Sequence, residues 1–240
     1  MIFTTSWDDG YALDLQVARI LEQYGATGTF YVCPHKQHDR RMVTTKEIRE
    51  LGMRHEIGAH TMSHPHLTQV SPEKARREIA ESKQWVEDST GNPCTMFCYP
   101  YGDTDDKVAG YVKEAGFAGA RTVEQFAFSG TQAFALPTSL HIYPYPFRPV
   151  ANRRVLSPLL HARPHLKRLK IPAYRCGSWS QLAKQVFAYA HGTNQPWFHL
   201  WGHSPELEKY ILWNELESFL GYVATYEDVV HAPNSALLSS

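Results

Sequence analysis

Residues 2–120 alternate short apolar stretches with amphipathic ones in units of roughly 25–35 residues, and this rhythm constrains the fold more than any other property of the chain. Ile2-Phe3-Thr4-Thr5-Ser6-Trp7 reads as a buried strand closed by the carboxylate pair Asp8-Asp9 and by Gly10, after which Leu13, Val17, Ile20 and Leu21 recur at helical spacing. Thr27 to Val32 and Ile57 to Ala59 read as strands, and Thr44-Thr45-Lys46-Glu47 has the form of a capping box opening the helix between them. Ser71-Pro72-Glu73 opens a long helix that ends near Gly91, followed by a strand at Met96 to Cys98, a helix at Thr104 to Ala115 and a strand at Phe117 to Ala120. Such repeats imply parallel strands joined by crossover helices, an α/β sheet or barrel whose chemistry gathers at the C-terminal ends of the strands. From Phe126 to Cys176 prolines, aromatics and cations replace the rhythm, and the stretch reads as an irregular insertion. The alternation resumes with a helix at Gln181 to Ala190, a strand at Trp197 to Trp201 and a closing helix from about Trp213 to Val223. With no internal repeat and no linker, one domain over residues 1–240 is expected.

Composition narrows the class. Equal numbers of acidic and basic residues, 24 each, and 43% apolar residues exclude a disordered chain and give no overall charge to attract nucleic acid. No apolar run approaches the roughly 18 residues that a spanning helix needs. The first ten residues lack the basic and apolar segments of a signal peptide, and the four cysteines are sparse and unpatterned, so a reducing, cytoplasmic setting is expected. The charge balance is uneven along the chain, because Phe126 to Pro205 contains no Asp or Glu but nine cations: Arg148, Arg153, Arg154, Arg163, Lys167, Arg168, Lys170, Arg175 and Lys184. Such a block is either a solvated surface or a surface for anions, and Tyr143, Tyr145, Phe147, Tyr174 and Trp179 within it suit a ring-stacking wall and plain packing of the loop onto the sheet equally well.

Three His-x-x-x-His pairs compete as metal sites. His161/His165 is surrounded by Arg163, Lys167 and Arg168, which repel a cation, and Pro164 is expected to break helical geometry there. His199/His203 falls on a strand, where residues four apart stand about 13 Å from each other. His60/His64 follows a short strand and is closed by Pro65, so a tight turn brings both imidazoles to one side. Two imidazoles and one carboxylate from Asp8 or Asp9 suit a divalent ion, Zn²⁺ first, with Co²⁺, Ni²⁺ or Mn²⁺ as alternatives. A non-haem iron oxygenase uses the same donor types, and a catalytically silent carbohydrate-binding domain is a reading from another class.

Thr5-Ser6-Trp7-Asp8-Asp9-Gly10, His60-Thr61-Met62-Ser63-His64-Pro65, Tyr99-Pro100-Tyr101-Gly102 and the His203 of Phe198-His199-Leu200-Trp201-Gly202-His203 together resemble the motifs of the polysaccharide deacetylase family, also called NodB-homology or carbohydrate esterase family four. The resemblance implies a distorted (β/α) barrel and a metal-dependent hydrolase removing acetyl groups, most often N-acetyl, from a sugar or glycan. It implies Asp9, His60 and His64 as metal ligands, Asp8 as general base, His203 as general acid and the Tyr101 backbone N–H as an oxyanion donor. The neighbouring Trp7, Tyr99, Pro100 and Trp201 are expected against the sugar. Two positions depart from the family: Cys98 stands where an Arg usually pairs with the base, and Gly116 to Thr122 lacks the usual Asp-Trp pair. Arg121 is therefore expected to pair with Asp8 in place of the missing Arg, and the insertion to favour an anionic substrate.

Overall fold

The computed structural model of the chain describes residues 1–34, 40–150, 152 and 154–239. Its elements are β1 (Ile2–Asp9), α1 (Asp14–Gln23), β2 (Thr29–Val32), α2 (Thr45–Leu51), β3 (Glu56–Ala59), α3 (Pro72–Thr90), β4 (Met96–Cys98), α4 (Asp106–Glu114), β5 (Gly119–Arg121), β6 (Leu140–His141), α5 (Ser157–Arg168), α6 (Trp179–Gly192), β7 (Trp197–Gly202), α7 (Ser204–Lys209), α8 (Trp213–Val223) and β8 (Val230–His231). The strands form one parallel sheet in the order β5-β4-β3-β2-β1-β7-β6, with β8 added at the start of β1. The sheet curls into a half-barrel with helices packed outside it. Its two edges are not joined by a regular ladder. Instead the segment Leu136–Ser139 spans the gap, Leu136 N–H donating to Ala120 of β5 at 2.9 Å and Ser139 N–H donating to His199 of β7 at 3.0 Å.

Local chemistry explains several boundaries. Thr44 and Glu47 close the reciprocal capping box of α2, Thr44 N–H donating to the Glu47 carboxylate at 2.8 Å. The Ser71 side chain caps α3, Pro72 occupies its first turn, and Gly91 ends it in the left-handed conformation at φ 74°. Along β1 the faces alternate: Phe3 and Trp7 join the core under the helices, while Thr4 and Ser6 turn inward to bond the two ring nitrogens of His199, at 2.7 and 3.1 Å. Phe3 meets Phe187, Phe198 and Phe219 at ring separations of 6.0–6.1 Å, contacts worth about 0.5–1.5 kcal/mol each beyond simple burial.

The insertion is more ordered than its composition suggests. It contributes β6, which pairs in register with β7 so that His141 lies beside Trp201, and it contributes the 12-residue α5. That helix runs through Pro164, contrary to expectation; the carbonyl left without an N–H donor belongs to Leu160, which is well exposed and leaves that carbonyl to water.

Candidate active site

Strand ends supply the reactive groups. Asp8 and Asp9 close β1, His60 follows β3, Tyr99 follows β4, Arg121 ends β5, His141 ends β6 and His203 follows β7, all at the C-terminal edge of the sheet. In a regular strand Asp8 and Asp9 would face opposite ways; φ of 84° at Asp9 turns its carboxylate back to the same mouth. Thr61, His64 and Tyr101 also take left-handed φ values of 65°, 59° and 61°, so the loops are held in conformations that only a dense set of contacts sustains. Glu78 of α3 provides many of them for the histidine loop: its carboxylate accepts from Met62 N–H and Ser63 N–H, both at 2.9 Å, and from Ser63 Oγ at 2.6 Å. Gly202 leaves room for the turn into His203, since a Cβ there would stand 2.4 Å from Ile142.

Asp9 Oδ1 lies 3.5 Å from His60 Nε2 and 3.2 Å from His64 Nε2, and the two Nε2 atoms are 3.1 Å apart. These are the spacings of ligands held about 2.0–2.2 Å from one ion. His60 Nδ1–H donates to the Cys98 carbonyl at 2.7 Å, which fixes the tautomer and leaves the Nε2 lone pair for the shared centre. Burial pushes the Asp9 carboxyl up, but the close approach of His60, His64 and His203 outweighs it and holds Asp9 well below the usual carboxylate range. The residues therefore fit a divalent ion in donor type, spacing and charge.

On one side of this set, Asp8 Oδ2 accepts from the Cys98 thiol at 3.5 Å, while its Oδ1 is buried with no hydrogen-bond partner among the described residues. Burial and the adjacent Asp8 raise the Cys98 thiol well above its ordinary value, so it stays a weak donor. Arg121 sits beside Cys98 in the β4–β5 register and is fully buried, but it does not pair with Asp8 as expected. Its Nη2 donates to the Pro137 carbonyl, and its Nε and Nη1 find no partner among the described residues. The carbonyl of Pro137 takes the guanidinium instead. Burial lowers Arg121 to about 10, so it remains a cation acting on Asp8 through its field.

On the other side, His203 Nε2 stands 3.9 Å from Asp9 Oδ2, and His203 Nδ1–H donates to Glu206 at 3.3 Å. The same Glu206 oxygen accepts from His141 Nε2–H at 3.1 Å, and His141 stacks on Trp201 with ring centroids 4.0 Å apart. Burial alone would lower His203, but Glu206, Asp9 and Asp8 together raise it to about 9, and the two histidines outweigh burial to pull Glu206 down to about 2. Burial keeps His141 below its ordinary value, hence a neutral donor. Sequence reasoning missed Glu206 and His141. Glu206 was detectable, because His203 is the N-cap of α7 and Glu206 its third residue, the spacing at which a side chain reaches back to the cap. His141 lay inside the stretch read as irregular.

The mouth is a cavity of about 400 Å³ bounded by Asp8, His60, His64, Tyr101, Trp201 and His203, with Tyr99, Val123 and Gln125 completing it. Tyr101 is 57% exposed and stacks on His66 at 4.0 Å. The turn around it is closed by Gly102 N–H to Tyr99 and Asp103 N–H to Pro100, so the Tyr101 N–H is not among its donors. Tyr99 lines the cavity, its hydroxyl tied to the Phe134 carbonyl at 2.9 Å. Trp7, expected against the sugar, lies fully buried in the core because strand alternation points it away from Asp8, and Pro100 is buried beneath the turn; neither lines this cavity.

The polysaccharide deacetylase family profile matches residues 2–120. A peptidoglycan-N-acetylglucosamine deacetylase of Bacillus cereus is 33% identical over 118 residues, covering 48% of this chain and 54% of that protein. Chitin deacetylase 1 of Cryptococcus neoformans is 28% identical over 117 residues, covering 48% and 24%. The chain thus spans about half or less of the length of these curated relatives. Among solved structures, a family 4 acetyl xylan esterase from Clostridium thermocellum superposes with a TM-score of 0.62 at 16% identity over 100% of this chain and 91% of that one. The Xyl-CE4 domain of a multidomain xylanase from the hindgut metagenome of Trinervitermes trinervoides gives 0.60 at 14% identity over 99% and 89%. With both aspartates, both loop histidines and the Tyr-Pro-Tyr-Gly turn inside them, residues 2–120 belong to the polysaccharide deacetylase family.

Proposed function

We propose that the protein is a metal-dependent deacetylase that hydrolyses an acetamide, or an acetyl ester, on a sugar or glycan. One observation carries the reading: a three-donor set, Asp9, His60 and His64, stands between a buried carboxylate with an open acceptor oxygen and a histidine protonated at neutral pH. A divalent ion held by those donors would supply a Lewis acid and a water acidic enough to attack at neutral pH. Zn²⁺ suits the two-nitrogen, one-oxygen set best, with Co²⁺, Ni²⁺ or Mn²⁺ as alternatives.

The chain's own groups then divide the work. Asp8 Oδ1 accepts the proton of the attacking water, with the buried Arg121 cation facing the same carboxylate from β5. The Tyr101 N–H, spared by its turn, donates to the carbonyl oxygen as negative charge develops there. His203 gives its proton to the departing amine, and Glu206 both orients it and keeps it charged until that moment. Trp201, stacked on His141, and Tyr101, exposed at the rim, are the sugar contacts. The Bacillus cereus and Cryptococcus relatives, named for N-acetylglucosamine and chitin, support an N-acetyl substrate, and the acetyl xylan esterase of like fold, solved in complex with a cobalt ion, supports a divalent metal. Cys33, Cys94, Cys98 and Cys176 are all buried, which supports a reducing, cytoplasmic setting. Mass spectrometry of N-acetylated and O-acetylated oligosaccharides incubated with the Zn²⁺-loaded protein tests the reading. Loss of one acetyl group per hit, abolished in Asp8→Asn, is expected; intact substrates throughout, from protein that binds one ion per chain, would overturn it.

A further inference from the structure

A second cavity, of about 560 Å³, adjoins the first, and Val123 and Gln125 line both. Gln125 is fixed at the divide, its side-chain oxygen accepting from His141 N–H at 3.3 Å. The floor of the second cavity continues through Phe126, and one wall is the face of α5 that carries His161, His165 and Arg168 at helical spacing. Phe126 is held in a left-handed conformation at φ 59°, buried, with His165 stacked on its ring at 4.4 Å and 10°. Arg168 Nη2 donates to its carbonyl at 2.6 Å and Phe126 N–H donates to Ser139 at 3.0 Å. A strained residue so fully tied marks a built wall rather than a passing loop conformation.

Charge on this wall is one-sided. Glu124 is the one carboxylate among the described lining residues, and it is exposed at the rim. Beyond it the chain supplies no acid until Glu206, while Arg163 and Lys167 flank the lining face of α5. The stretch that builds the wall lies outside residues 2–120. Arg154, expected to contribute, does not line the cavity, and Arg153 lies outside the described residues.

We propose that this cavity is a distal subsite, formed by His161, His165 and Arg168 over Phe126, for an anionic group, phosphate or carboxylate, on the same glycan whose acetyl group lies in the first cavity. The proposal rests on the deacetylase reading for what occupies the first cavity, but the subsite can be tested without turnover. A substrate crossing Gln125 from one cavity to the other would present its anion to imidazole N–H groups and to the free donors of a guanidinium, the charge-assisted bonds that discriminate anions from neutral hydroxyls.

The test is titration of the Zn²⁺-loaded Asp8→Asn protein with three probes: neutral di-N-acetylchitobiose, its 1-phosphate, and an N-acetylated disaccharide ending in a uronic acid. At least one anionic probe should bind about tenfold tighter than the neutral one at low salt. The two anionic arms tell phosphate from carboxylate. In His161→Glu, a change at an exposed position, the advantage should fall to nearly one while neutral binding stays the same; His165→Ala should cut it several-fold. Equal binding of all three probes, or an advantage that survives His161→Glu, overturns the subsite. Absence of acetate release from every probe by the unmutated enzyme overturns the deacetylase reading instead, and the titration still decides the subsite.

Discussion

Glu206→Gln probes the acid side of the cleft most directly. Moving His203 from 6.5 to about 9 against the cost of burial corresponds to about 3 kcal/mol of net preference for the imidazolium. Its hydrogen bond to Glu206 is the largest favourable contribution, ahead of Asp9 and Asp8. A cation at Asp9 cancels much of that carboxylate's pull, so in the loaded enzyme Glu206, on the far nitrogen, matters more still. In the metal-free protein the raised value means that His203 carries its proton below about 9 and loses it as pH rises through that point. Gln keeps the shape and removes the charge. The alkaline limb of kcat against pH should therefore move acidward by about two pH units, with about a tenfold loss at pH 8 and little loss at pH 6, where both forms are protonated. The assay is acetate release from the best oligosaccharide, measured from pH 5.5 to 10 for both proteins at full metal occupancy. A limb left in place, with activity lowered equally at every pH, would refute Glu206 as the group that sets the His203 proton and reduce it to a packing residue.

Removing one ligand, in His64→Ala or Asp9→Ala, should leave well under one ion per chain after dialysis, and full occupancy would remove that residue from the ligand set. Glu78→Ala should weaken metal binding about 10–100-fold by freeing the His60–His64 loop, read by competition with a chromogenic chelator, while a retained affinity would make the loop self-sufficient. Arg121→Met should hold or raise Tm, since two of its buried donors are unpaired, yet lower kcat about tenfold with little change in KM; a matched loss of Tm and kcat would make the residue structural. For the metal-free protein, the His203 contribution to stability is complete below pH 6.5 and disappears as pH rises through about 9, so Tm should decline over that interval and decline less in His203→Gln.

The cluster of Asp9, His60 and His64 was legible in the sequence because its geometry is local: a strand end at Asp8-Asp9 and a five-residue loop from His60 to His64 bring three donor side chains together with few long-range assumptions. The helices with chemical end signals were equally plain, α2 through its capping box and α3 between Ser71-Pro72 and Gly91. The expectations that failed were ones decided by distant neighbours. Trp7 was placed at the substrate because it sits in a motif, although the alternation Phe3, Thr5, Trp7 against Thr4, Ser6, Asp8 already assigns it to the other face. The two residues of β6 carry no periodicity at all and are a strand only because β7 lies beside them. The pairing of Arg121 with Asp8 is expected from its place at a strand end, but the carbonyl of Pro137 takes the side chain instead.

The sheet order also dictates when the protein can be finished. β1 is the first strand made and lies in the interior of the sheet, bonded on one side to β2 and on the other to β7, whose first residue follows the end of β1 by about 190 positions. At about 5–20 residues per second on the ribosome, β2 arrives within seconds, but the second side of β1 waits roughly 10–40 s for its partner. During that interval the nascent chain presents a bare, apolar strand edge that carries both aspartates, an adhesive surface for any other extended segment. Slow, non-local closure of this kind makes the yield of soluble protein sensitive to temperature and to holdase chaperones, and it makes β1 the place where a misassembled copy would first go wrong.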